Sequence, residues 1–138
     1  MNKKTRCIML VDDNPDDNFF HEREIKKADS TNVIITKHSG KKALDYLKSK
    51  EDPRSDLIFL DINMPGMNGW EFLEEYNQLD KELQGHAIII MLTTSDNIDD
   101  LARAKSWSIV SDYITKPLTK DAMNEIAEKY FQTSQGKV

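Results

Sequence analysis

At 138 residues with one cysteine, the chain suits a single domain that buries about two-thirds of its unfolded surface, and no internal disulfide can staple it. Its 19 Lys and Arg against 24 Asp and Glu give a net charge of −5, and the pairs Lys26-Lys27 and Lys41-Lys42 form no basic arm, which speaks against direct nucleic-acid binding. Lys3, Lys4 and Arg6 precede an apolar run too short for a secretion signal, no stretch is long enough for membrane insertion, and the reading is a cytoplasmic chain.

Cys7 to Val11 form a continuous apolar run, which fits a strand buried on both faces, with Cys7 an ordinary core thiol. The run ends in Asp12 and Asp13. A helix over about 15–27 follows, with Pro15 in its first turn and Asp16 and Asp17 near its positive end; helix N-terminal capping explains these two acids better than a part in a metal site. Val33 to Ile35 give a short second strand, and Ala43, Leu44 and Leu47 mark one face of a second helix. Leu57 to Leu60 form a central buried strand that stops at Asp61. Beyond it, Asn63, Pro65, Gly66, Asn68 and Gly69 make a loop, and Asn68 stands three residues before Glu71, the spacing of a capping box. The third helix carries Trp70, Leu73, Tyr76 and Leu79 and runs down before Gly85. Residues 87–92 make a fourth strand ending in Thr93, Thr94 and Ser95, followed by a helix over about 96–106 with Asp96, Asp99 and Asp100 in its first turn. Residues 109–114 form a fifth strand, and Lys116 and Pro117 lead to a last helix with Thr119 as N-cap, a Leu118–Met123 staple, and Met123, Ile126, Ala127 and Tyr130 on one face. His21, His38 and His86 stand apart and read as solvated or partly packed. The tail 132–138 is polar and expected to fray.

Five strands alternating with five helices imply an α/β fold, a five-stranded parallel sheet with helices on both faces. Residues 5–131 read as one unit with no output domain attached. The strand ends present Asp12, Asp13, Asp61, Thr93 and Lys116. Clustered carboxylates repel one another and call for a cation, and hard oxygen donors with open positions suit Mg²⁺. A carboxylate beside Mg²⁺, a lysine and a hydroxyl has what is needed to accept a phosphoryl group as an aspartyl phosphate.

These residues resemble the receiver domain of two-component response regulators: Asp12-Asp13 after the first strand, Asp61 within Asp61-Ile62-Asn63-Met64-Pro65-Gly66-Met67-Asn68-Gly69, Thr93 after the fourth, Tyr113 in the fifth, then Lys116-Pro117. The resemblance implies strand order 2-1-3-4-5, as in flavodoxin and CheY. It implies Asp61 as phosphoacceptor, Asp13 as direct Mg²⁺ ligand, Asp12 acting through a metal-bound water, and Asn63 giving its backbone carbonyl. Lys116 would pair with the phosphoryl group, and the Lys116–Pro117 peptide would be cis. Thr93 would move to the phosphoryl oxygens and Tyr113 would swing inward, altering a surface over about residues 96–130. The donor would be a sensor histidine kinase or a histidine phosphotransfer protein, the downstream partner another protein, and the chain no enzyme beyond slow autodephosphorylation.

Three departures stand out. Thr94 occupies a position where the family usually has a smaller residue, which would tighten access to the phosphoryl group and slow its hydrolysis. Trp107-Ser108-Ile109 replaces a small turn, with Trp107 read as covering the sheet edge ahead of docking a partner, and the chain stops after the last helix. Against the receiver stand three other readings. A haloacid-dehalogenase-type phosphatase would need an Asp-x-Asp loop after the first strand. A flavin-phosphate binder would face the wrong charge at Asp12, Asp13, Asp16 and Asp17. A phosphorylation-independent docking module is opposed by the retained Asp61, Lys116 and Thr93.

Overall fold

The computed structural model describes residues 6–50, 53–94 and 97–131. Five strands, β1 (Cys7–Val11), β2 (Val33–Lys37), β3 (Leu57–Leu60), β4 (Ile88–Thr93) and β5 (Val110–Thr115), alternate with α1 (Pro15–Ala28), α2 (Gly40–Lys48), α3 (Gly69–Asn77), α4 (Lys81–Gln84), α5 (Ile98–Lys105) and α6 (Lys120–Phe131). The strands pair in parallel in the order β2-β1-β3-β4-β5. Because successive strand side chains point to opposite faces, the sheet separates two apolar cores. Met9, Val11, Ile58 and Leu60 pack with α2, α3 and Ala104 of α5; Ile8, Leu10, Leu57 and Phe59 pack with Ile25 of α1 and with Met123 and Ile126 of α6.

The helix count corrects the sequence expectation by one. The run from Trp70 towards Gly85 breaks: α3 ends at Asn77, and Asp80 opens the one-turn α4, which Gly85 closes at φ 64. Gln84 ties the break together, its Nε2 donating to the Tyr76 and Leu79 carbonyls at 3.2 and 2.9 Å. At α1 the cap is Asn14, whose Oδ1 accepts from the Asp16 and Asp17 N–H groups, so those acids lie in the first turn without making the cap. Thr119 caps α6 through Oγ1, and Leu118 and Met123 are buried together as the staple requires. β2 runs on to Lys37, two residues beyond its expected end.

Cys7 is buried. Trp107 is half-buried and packs against the core on the α2–α3 side, as a covering residue does. His38 and His86 are exposed, whereas His21 is 2% exposed, more deeply placed than a solvated or partly packed histidine. Ser95, the expected start of the following helix at Asp96, and the tail 132–138 lie outside the described residues. No helix among the described residues is long and apolar enough to cross a membrane.

Candidate acidic site at the strand ends

The parallel ladders carry their hydrogen bonding one residue past the strands and thereby gather the strand ends. The Asp12 N–H donates to the Lys37 carbonyl, the Asp61 N–H to the Val11 carbonyl and the Lys116 N–H to the Thr93 carbonyl, at 3.1, 3.1 and 2.8 Å. As a result Asp12, Asp13 and Asp61 each offer a carboxylate oxygen, and the three atoms lie within 4.8 Å of one another. Asp12 and Asp61 are 4% and 6% exposed, while Asp13 faces solvent from the rim. A cleft of about 550 Å³ opens over them, bordered by Asn63 and Thr94, both exposed.

Lys116 reaches into this cluster from the end of β5. Its Nζ lies 2.6 Å from Asp12 Oδ2, 2.7 Å from Asp17 Oδ2 and 3.7 Å from Asp61 Oδ2. Burial opposes the ammonium charge, but the hydrogen bonds to Asp12 and Asp17 and the charges of Asp61 and Asp12 outweigh it, and the Lys116 pKa rises. Asp61 moves in the direction an ion pair would not produce. Burial pushes its carboxyl up, helped by the Asp12 charge, and outweighs the Lys116 charge and the hydrogen bond from Thr93. The geometry agrees, because at 3.7 Å Lys116 forms an ion pair with Asp61 but no hydrogen bond.

The loop after Asp61 is shaped by two glycines. Gly66 adopts φ 79. Gly69 opens α3 directly against the end of β3: a Cβ there would stand 2.5 Å from the Asp61 carbonyl oxygen and 2.9 Å from Ile62 Cα. Its N–H donates to the Ile62 carbonyl at 2.8 Å, and the Asn68–Glu71 capping box closes the turn with two bonds of 2.9 Å. Thr93 is fully buried beside Asp61, and the Lys116–Pro117 peptide is cis. Tyr113 lies half-buried on β5 against the α2–α3 core.

The residues present fit a hard divalent cation: three carboxylates from two strand ends converge on an open cleft, and Lys116 stands against Asp12 and Asp17. What sequence reasoning missed is the role of Asp17. Its place in the first turn of α1 is visible in the chain, but its partner lies 99 residues away and no local spacing announces the pair.

The chain was then compared with known proteins. A family model described as the response regulator receiver domain matches residues 8–128. A probable methanogenesis regulatory protein, FilR2 of Methanothrix harundinacea, is 33% identical over 88% of this chain and 79% of its own length. Longer relatives are matched in part, the chain spanning 45% of one and 54% of another. The crystal structure of a two-component response regulator from Cytophaga hutchinsonii superposes with TM-score 0.85 at 29% identity, covering 95% of this chain and all of that one. That of the phosphorylated cyanobacterial phytochrome response regulator RcpA gives TM-score 0.79 at 28% identity, covering 93% of this chain and 95% of that one.

Proposed function

Because the chain belongs to the response regulator receiver domain family, we propose that it is a phosphorylation switch in which Asp61 accepts a phosphoryl group from the phosphohistidine of a sensor kinase or of a histidine phosphotransfer protein. The observation that carries this reading is the convergence of Asp12, Asp13 and Asp61 on one cleft with Lys116 at its wall. RcpA, a similar protein at 28% identity, is known in a phosphorylated form.

Asp13, Asp61 and the Asn63 backbone carbonyl would hold Mg²⁺, with Asp12 acting through a bound water. When bound, the ion neutralises charge on the phosphoryl oxygens. The Asp61 carboxylate attacks phosphorus in line, the P–N bond breaks, and its electron pair leaves on the donor imidazole. Asp61 is suited to this step because Lys116 lies 3.7 Å from its Oδ2, an ion pair too long to be a hydrogen bond. Lys116 shifts from the carboxylates onto the phosphoryl group, and Thr93 exchanges its Asp61 bond for a phosphoryl oxygen. Tyr113 then turns inward, and the surface formed by α5, β5 and α6 changes its affinity for a protein partner. Asn63 and Thr94 border the route of hydrolytic water and set the lifetime of the aspartyl phosphate.

Intact mass after incubation with Mg²⁺ and a small acyl phosphate tests the reading, with the native protein and Asp61→Ala compared side by side. The expected result is one labile, Mg²⁺-dependent phosphoryl group on the native protein and none on the variant. If the native protein gains nothing from acyl phosphate or from phosphohistidine donors while folded, the phosphorylation-independent docking module replaces this proposal.

A further inference from the structure

Asp17 stands in the first turn of α1, outside the group of residues that would hold the metal, yet it makes a hydrogen-bonded ion pair with Lys116 at 2.7 Å, within 0.1 Å of that made by Asp12. Its placement is built by its neighbours. The Asn14 N–H donates to Asp12 Oδ1 at 2.9 Å, Asn14 Oδ1 accepts from the Asp17 N–H at 3.1 Å, and Asn18 Nδ2 donates to the Asp12 carbonyl at 2.9 Å. The start of α1 is thereby laced to the end of β1, and the Asp17 carboxylate is held over the lysine.

We infer that Asp17 is a positioning residue that acts through Lys116, giving the ammonium a second partner so that Asp12 is released to the divalent cation at low cost. The inference rests on the reading of Asp12, Asp13 and Asp61 as the metal and acceptor site. Cation binding sets up a competition, since Asp12 cannot serve Lys116 at 2.6 Å and a hydrated metal equally well. With Asp17 present, Lys116 lets go of one carboxylate and keeps the other. Without it, Lys116 holds to Asp12 and closes on Asp61, the next oxygen at 3.7 Å, and the cation must displace it outright. The same pair draws the ammonium towards α1 and off the acceptor, which leaves Asp61 open to the incoming phosphorus.

Titration with Mn²⁺, read by quenching of tryptophan emission and by calorimetry, separates the possibilities. Asp17→Asn is expected to weaken Mn²⁺ binding by about tenfold, the worth of one charge-assisted hydrogen bond. Asp16→Asn, which removes the same charge one residue away at an exposed position, is expected to change it by no more than about twofold. In a Lys116→Met background the effect of Asp17→Asn should shrink to that of Asp16→Asn, because the relay is gone. An undiminished effect in that background overturns the inference in favour of direct attraction of the cation by Asp17. Native-like binding by Asp17→Asn overturns it as well and leaves the metal site intact; no binding by the native protein overturns the metal reading together with it. The Lys116 ammonium resonance supplies a readout independent of the Lys116→Met fold. On Mn²⁺-free Mg²⁺ saturation it should stay protected from solvent exchange in the native protein and lose that protection in Asp17→Asn.

Discussion

Gly69→Ala places a methyl group where the structure has no room. The new Cβ would lie 2.5 Å from the Asp61 carbonyl oxygen, 2.9 Å from Ile62 Cα and 3.2 Å from the Asp61 carbonyl carbon. All three neighbours are backbone atoms, so no rotamer change relieves the contact, and either α3 or the end of β3 must move. Overpacking of this kind costs about 1–3 kcal/mol. The alanine also restricts the unfolded chain and favours the helix, which returns up to about 1 kcal/mol. Since only backbone can give way, the cost falls in the upper part of that range, about 2–3 kcal/mol, so the net loss is about 1–2 kcal/mol after a gain of about 1, and at this chain length it lowers Tm by about 3–8 °C. Two of the three crowded atoms belong to Asp61 itself, so phosphoryl uptake at a temperature where the variant is folded should fall by about tenfold to a hundredfold. Thermal unfolding by circular dichroism and single-turnover uptake from a small acyl phosphate measure the two effects. Native melting together with native uptake would refute the argument that Gly69 is required for the approach of α3 to the acceptor.

Asn68→Ala removes half of the capping box and should cost about 1 kcal/mol in urea unfolding, while Glu71→Gln, which can still accept from the Asn68 N–H, should cost less. His21 should make stability depend on pH: burial, aided by the Lys116 charge, holds its pKa below the ordinary 6.5. As pH falls below that value the unfolded chain takes up a proton that the folded one refuses. Stability is then fully present above 6.5 and declines down to the depressed value, and His21→Gln should flatten this slope below pH 6.5. Arg103→Ala should cost about 0.5–1 kcal/mol and alter Trp70 emission, since the guanidinium lies 4.6 Å from the ring centroid.

The strands and most helices were legible because each announces itself locally. Leu57 to Leu60 is apolar without interruption and ends at a carboxylate; Thr119 stands before an apolar face of helical spacing. The acid cluster was legible too, because parallel strands bring their carboxyl ends together whatever the loops do, and Asp12, Asp13, Asp61 and Lys116 all occupy such ends. The residues that escaped are those whose environment is made by distant chain. Asp17 looks like any first-turn acid until β5 delivers Lys116 to it. His21 looks solvated until the site closes around it, and the break at Asn77 depends on Gln84 folding back onto Tyr76 and Leu79. Asn14 was overlooked for a different reason: two acids beside it offered an equally good local explanation, and only the hydrogen bonds show which residue caps the helix.

The sheet keeps α1 and α6 on one core and α2, α3 and Ala104 of α5 on the other. A change of side-chain volume beneath one layer is absorbed by neighbours that the opposite layer does not share. In a lineage of duplicated genes, substitutions beneath one layer can therefore accumulate without disturbing the packing beneath the other, with the strand-end residues held constant between them.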